Sequence, residues 1–435
     1  MHFHVEPSVL GGGTLRVPGD KSISHRALLL GAIARGESSI RGFLPGADCL
    51  ATLAALRDLG VEIRHDVNDQ VTIRGNGLQG LERAAHALDL GNSGTAMRLF
   101  TGLLAAQPFD STLTGDASLS ARPMARVIDP LKRMGAEVDS NGGLPPLIVR
   151  GGRALHGIDY ALPVASAQVK SAILLAGLYA DSETVVREPA VTRDHTERML
   201  QSMGARIDSA DGVIRLQPGT ELAACDLEVP ADLSSATFPM LAGLIADDCT
   251  LTLTNVGINP TRDGVLAILR AMGAGIELRN RRMQGMEPVA DLVVTSSRLR
   301  GTDVDPALVP LAIDEFPALF IAAAHAEGIT RFSGLAELRV KESDRLSAMV
   351  QGLQSLGVEV DEEPDGARIR GGALSGGEVQ SFGDHRIAMS FAVAATRAAS
   401  TVRIADVAAV DTSFPGFVEA LNGLGAAIDL VEDSA

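Results

Sequence analysis

A chain of 435 residues is too long for one hydrophobic core, and two domains are the natural expectation. Hydrophobic residues make up 46% and charged residues 21%, which is globular rather than disordered, although Trp is absent and only two Tyr occur. A net charge of −16 with so few aromatic rings for base stacking argues against nucleic acid as a partner. Cys49, Cys225 and Cys249 suit neither a metal site nor a disulfide framework, which favours a reducing compartment. No apolar run is long enough to cross a membrane, and residues 1–10 lack a signal-peptide pattern, so a cytoplasmic location and no membrane partner are expected.

The predicted elements begin with a strand at residues 14–17. A small-residue apolar helix follows at 27–34, then an amphipathic helix that runs into Leu59-Gly60-Val61, then a hairpin at 61–63 and 71–73. The same order returns along the chain. Buried-type helices, apolar almost all round, are predicted at 95–106, 169–178, 236–246, 317–326 and 387–399. Strands follow several of them, for example at 184–187, 250–254 and 401–404. Each amphipathic helix ends in a matching signature: Met134-Gly135-Ala136, Met203-Gly204-Ala205, Met272-Gly273-Ala274, Leu356-Gly357-Val358 and Leu424-Gly425-Ala426. The six glycines recur about every 70 residues, the mark of an internal repeat. Each is expected to stop its helix in the left-handed conformation that glycine adopts cheaply.

The sixth copy stops before a second hairpin strand, so the N-terminus is expected to complete it, with 14–17 as the unassigned strand. Three copies per half give two similar domains, 19–228 and 1–18 plus 229–435, with the chain crossing near Pro18 and Val229.

Polar residues gather at the starts of the buried helices. They are Asp20-Lys21-Ser22-Ile23-Ser24-His25-Arg26, Gly91-Asn92-Ser93-Gly94-Thr95, Ser166-Ala167-Gln168-Val169-Lys170, Asp232-Leu233-Ser234-Ser235, Asp314-Glu315 and Gly383-Asp384-His385-Arg386. Ser234 and Ser235 read as ordinary N-caps. Lys21, Arg26, His385 and Arg386 do not, because a cation at a helix N-terminus is disfavoured by about 0.3–1 kcal/mol. Free N–H groups and a positive side chain together make an anion site. Arg122 precedes Pro123 at an expected first helical position. Asp194 and Glu197 suggest a capping box that leaves His195 a structural role. The segment 339–345 reads, on its own, as a solvated helix start.

Together these segments resemble the EPSP synthase branch of the enolpyruvyl transferases. The resemblance rests on Pro-Gly-Asp-Lys-Ser-Ile-Ser-His-Arg at 18–26, Gly-Asn-Ser-Gly-Thr-Ala-Met-Arg at 91–98, Arg-Pro-Met at 122–124, Ser-Ala-Gln-Val-Lys-Ser-Ala at 166–172, Arg-Val-Lys-Glu-Ser-Asp-Arg-Leu at 339–346 and Gly-Asp-His-Arg-Ile-Ala-Met at 383–389. It implies an α/β fold of two inside-out domains, each of three βαβαββ-type units. The implied activity moves the carboxyvinyl group of phosphoenolpyruvate to the 5-hydroxyl of shikimate 3-phosphate in aromatic amino-acid biosynthesis. It implies no metal or organic cofactor, and a monomer is expected. By resemblance Lys21, Ser22, Arg26, Ser166, Ala167, Gln168, Arg193, Asp314 and Lys341 meet shikimate 3-phosphate. Lys21, Asn92, Gly94, Arg122, Gln168, Arg345 and Arg386 meet phosphoenolpyruvate. Asp314 accepts the hydroxyl proton, Glu342 protonates the methylene, Lys21 touches both substrates and His385 orients groups nearby. Such residues fall in both halves, so anionic ligands are expected to bridge them.

Many members carry a second serine where this chain has Ala167, and a lysine where it has Thr412. The sister transferases that act on UDP-N-acetylglucosamine use a cysteine on the loop before Ala-Arg-Pro, and Gly115-Asp116-Ala117-Ser118-Leu119-Ser120 has none. A non-catalytic anion-binding protein would have no need of Lys21, Asp314 and Glu342 together. Glyphosate inhibits many members of the family in the phosphoenolpyruvate pocket, and Gly94 suits a sensitive one.

Overall fold

The computed structural model of the chain describes residues 1–432. Its contacts divide the chain into two units. Unit I comprises Gly19–Val229 and Gln284–Glu287. Unit II comprises Met1–Pro18, Pro230–Met283 and the chain from Pro288 onward.

The repeat is visible in every copy. In the first, the apolar helix Lys21–Ile33 leads to the strand Arg35–Arg41, the helix Ala47–Asp58 and the hairpin Glu62–His65/Val71–Asn76. The six glycines that end the second helices, Gly60, Gly135, Gly204, Gly273, Gly357 and Gly425, all have φ between 83° and 104°. A Cβ is strained there, so the stop is written into the backbone.

In unit I the helices Lys21–Ile33, Gly94–Leu104 and Ala167–Gly177 carry much of one hydrophobic core, and three four-stranded sheets pack against it with Ile40, Ile73, Leu113, Val149 and Val186. Gly102 permits the closest approach of two of these helices: a Cβ at that position would lie 2.2 Å from the Ala172 carbonyl oxygen. Unit II repeats the plan with the helices Leu233–Ile245, Phe316–Ala324 and His385–Ala395. Its core adds phenylalanine stacking, with Phe320 and Phe332 centred 4.9 Å apart and nearly parallel.

In most copies a short strand ahead of the buried helix pairs parallel with the strand behind it, as Asp159–Ala161 does with Thr184–Arg187. The chain exchanges these leading strands at its two crossings. Gly13–Leu15 comes just before the first helix of unit I but pairs with Thr250–Gly257 of unit II. Leu227–Glu228 comes just before the first helix of unit II but pairs with Arg35–Arg41 of unit I. The strand that completes the sixth sheet is therefore His2–Glu6 rather than residues 14–17. It lies between Val402–Ala405 and Ala427–Val431, antiparallel to both, in the place a second hairpin strand would take. The alternation of buried Phe3 and Val5 with outward His2 and His4 fits it to a sheet with one core face. Among the described residues no helix is long and apolar enough to cross a membrane.

Candidate active site

In unit I the helix starts hold cations in defined polar settings. Asp20 caps Lys21–Ile33 by accepting from the Ile23 N–H at 2.9 Å. Lys21 is the first helical residue, and its Nζ lies 2.5 Å from Asp48 Oδ2 of the next helix. That carboxylate offsets the unfavourable helix dipole. Arg26, one turn on, is buried. Its Nε donates to Thr196 Oγ1 and its Nη2 to Ser171 Oγ, both at 2.7 Å, and its Nη1 donates to the Ser22 carbonyl. Ser22 and Arg26 are thereby tied to the third repeat.

A second cluster joins the second and third repeats. Gly94 opens its helix behind the cap Ser93. Arg98 Nη1 donates to the Gly94 carbonyl at 3.0 Å and to Gln168 Oε1 at 2.8 Å, and Gln168 Nε2 donates to Thr95 Oγ1 at 2.8 Å. Arg122 Nη2 donates to Asn92 Oδ1 at 2.5 Å, and Asn92 Nδ2 donates to Asp116 Oδ2. A Cβ on Gly94 would come within 2.8 Å of Arg98 Nη1 and 3.1 Å of Arg122 Nη1, so the glycine sits directly beneath two guanidinium groups. Ser166 caps the helix that begins at Ala167, accepting from the Val169 N–H. Arg193 is half-buried in the segment that leads to the helix His195–Ser202.

In unit II four acids and three cations interlock. Asp314, in the turn before Phe316–Ala324, accepts on Oδ1 from Lys341 Nζ at 3.2 Å and from Arg345 Nη1 at 3.3 Å. Its carbonyl accepts from Arg386 Nη1 at 3.0 Å. Arg345 is 1% exposed, with Nη2 2.5 Å from Glu342 Oε2 and Nε 2.7 Å from Asp384 Oδ2. Burial alone would push its pKa down, but attraction to Asp384, Glu342 and Asp314 outweighs it and the net shift is upward, so the guanidinium stays charged. Asp384 also caps His385–Ala395 through the Arg386 N–H. His385 is the first residue of that helix and is buried. The cap follows a left-handed pair, Phe382 and Gly383, at φ 55° and 68°. Glu315 Oε1 lies 4.0 Å from Arg386 Nη1.

Several sequence expectations are corrected. The cap of Leu233–Ile245 is Asp232, whereas Ser234 lies inside the helix, where its hydroxyl donates to Glu315 and accepts from Arg262. Asp194 and Glu197 form no capping box: Asp194 pairs with Arg198 at 2.8 Å, and Glu197 turns to Lys170. Pro123 precedes the helix Ala125–Arg133 instead of opening it. The segment 339–345 is not a solvated start. Arg339 is locked to Asp344 and Glu362, and Arg345 is enclosed. Thr412 donates to the Ala409 carbonyl at the end of a short 3₁₀ turn.

Asp48 was not singled out from sequence, and Arg98, Ser171, Thr196 and Asp384 were given no role as partners. Asp384, Arg98, Ser171 and Thr196 lie in or beside motifs already quoted, so a polar residue one helical turn from a named one was the available signal.

The chain carries this arrangement across its length, and a model of the EPSP synthase (3-phosphoshikimate 1-carboxyvinyltransferase) family matches residues 7–421. The chain belongs to the EPSP synthase family. A 3-phosphoshikimate 1-carboxyvinyltransferase of Alkalilimnicola ehrlichii is 58% identical over 98% of this chain and 96% of its own length. One of Methylococcus capsulatus is 56% identical over 96% of each. A solved EPSP synthase from Acinetobacter baumannii superposes with a TM-score of 0.89 at 49% identity, covering 99% of this chain and 100% of that one. The two-unit α/β fold of six repeats is thus the EPSP synthase fold.

Proposed function

We propose that this chain transfers the carboxyvinyl group of phosphoenolpyruvate to the 5-hydroxyl of shikimate 3-phosphate and releases inorganic phosphate, the reaction named by its family. The observation that carries the reading is the Asp314 cluster, in which a base candidate and an acid candidate share the guanidinium of Arg345.

The addition step needs a proton removed from the hydroxyl and another delivered to the methylene carbon. Asp314, held by Lys341 and Arg345, takes the hydroxyl proton. Glu342 must carry a proton to act as the acid. Protonation weakens its pair with Arg345, which turns Nη2 toward the anionic groups of phosphoenolpyruvate. The resulting intermediate carries a methyl group. Glu342, left as a carboxylate by the addition, takes a proton back from that methyl as the C–O bond to phosphate breaks, which restores the double bond and completes the transfer.

The cations serve the charge. Arg122, Arg345, Arg386 and Lys21 hold phosphoenolpyruvate, with Gly94 and Asn92 against it and Gln168 touching both substrates. Ser22, Arg26, Ser166, Ala167, Arg193 and Lys341 hold shikimate 3-phosphate, and His385 orients the groups beside it. Preorganised cations of this kind favour charge developing in the transition state. The chain is expected to act as a cytoplasmic monomer. The test is phosphate release from phosphoenolpyruvate by the purified chain. Release that depends on shikimate 3-phosphate is expected. Release without it would overturn the reading in favour of a different phosphate-releasing activity, and none with both substrates would overturn it in favour of a protein that only binds anions.

A further inference from the structure

The helix Ala167–Gly177 offers Ser166 and Gln168 at its start and buries a lysine one turn further in. Lys170 is 1% exposed. Its Nζ lies 3.0 Å from Glu188 Oε1 and 2.7 Å from Glu197 Oε1, and it donates to the Thr192 carbonyl at 3.4 Å. The Thr192 hydroxyl in turn donates to Glu188. All three partners belong to one stretch of chain, residues 188–197.

Burying one cation between two acids is costly, several kcal/mol per ion before their attraction is counted. An apolar residue would fill the space at less cost. What the charges supply is direction: Lys170 fixes the start, middle and end of the stretch at one point. Two further buried contacts act on the same stretch. Thr196 accepts from Arg26 and shares a hydrogen bond with Ser171. His195 Nδ1 lies 2.7 Å from Glu287 Oε1. Thr192, His195 and Thr196 are all buried, and between them Arg193 is left half-exposed. The flanks of Arg193 are anchored, and Arg193 itself is half-buried.

We infer that Lys170 is a positioning residue, which holds residues 188–197 so that the Arg193 guanidinium meets the phosphate of shikimate 3-phosphate without Lys170 touching the substrate. The inference rests on the functional reading above for the identity of the ligand. It goes beyond that reading in naming what aims the arginine.

Lys170→Met alone would strand two buried carboxylates and could unfold the unit. The double variant Lys170→Met/Glu197→Gln removes one charge of each sign and keeps the net charge of the cluster. In that variant the dissociation constant for shikimate 3-phosphate, measured by calorimetry, should rise about 10–100-fold, as when an outer partner of a ligand-holding group is lost. The KM for phosphoenolpyruvate should stay within about twofold of the wild-type value, a split that a general loss of structure would not give. Arg193→Ala should weaken binding in the wild type but add little in the double variant. Amide exchange without ligand should quicken at 188–197 and stay slow across the remaining core. Equal losses from Arg193→Ala in both backgrounds, or unchanged exchange at 188–197, would overturn the inference. A wild type that binds no shikimate 3-phosphate would instead sink the functional reading, and the exchange arm would still decide the anchoring.

Discussion

Asp314 and Glu342 differ in what holds them. Asp314 is gripped by Lys341 and Arg345 at its carboxylate, and Glu342 pairs with Arg345 Nη2. Asp314→Ala should lower turnover by about 10²–10⁴-fold, the range for acid–base groups, with a smaller effect on phosphoenolpyruvate affinity. Turnover near the wild-type value would remove Asp314 from the chemistry. Gly94→Ala acts through geometry. Alanine favours a helix over glycine by about 1 kcal/mol, so the fold should not suffer. The added Cβ must displace the Arg98 and Arg122 guanidinium tips that lie 2.8 and 3.1 Å away. Inhibition by glyphosate, longer than phosphoenolpyruvate, should weaken far more than the KM for phosphoenolpyruvate rises, and steady-state inhibition measures both. His25 gives a pH dependence. Burial, then Lys21 and Arg26, push its pKa well below the ordinary 6.5, against a smaller opposing effect of Asp20. The folded ring stays neutral while the unfolded ring takes a proton below pH 6.5. The unfolded state then binds more protons, so stability should fall with decreasing pH, by up to about 1.4 kcal/mol per unit from this group. Denaturant midpoints between pH 7 and 5 test this, and His25→Asn should flatten the slope.

Among the elements, Gly94–Leu104 crosses Ala167–Gly177 at a close approach of backbone to backbone. Gly102→Ala places a methyl 2.2 Å from backbone, which no side-chain rotation relieves, and should cost about 1–3 kcal/mol by overpacking. An unchanged urea midpoint would show that the helices can part. The six repeats were legible because each ends on a glycine whose left-handed backbone is a local requirement. The buried helices were legible because apolar residues run round their whole circumference. Pairing was not. Residues 14–17 read as a short strand and residues 2–6 were not singled out, and nothing local says which sheet either joins. The cap of the fourth repeat was misplaced for a similar reason: Asp232 lies two residues ahead of Ser234, and the distant Glu315 and Arg262 decide what that serine does. The lysine of the third repeat was visible in its motif, but its partners lie 18 and more residues away, and only folding brings Glu188 and Glu197 to it.

For the whole molecule, the strand His2–Glu6 makes unit II depend on both ends of the described chain. Removing residues 1–6 should uncover the faces that Phe3 and Val5 now bury, at about 1.5–3 kcal/mol each, and leave Val402–Ala405 and Ala427–Val431 without their shared neighbour. The melting temperature should drop, and an unaltered melt would show the strand to be dispensable. The same feature orders events during synthesis. Residues 19–229 emerge consecutively and can fold as they leave the ribosome. The strand at 2–6 is made before them, yet its partners come last, on the order of tens of seconds later at about 5–20 residues per second. Throughout that wait it is an unpaired edge with an apolar face, open to the wrong neighbour. Slowed elongation should therefore expose this chain to aggregation through its earliest segment rather than its latest.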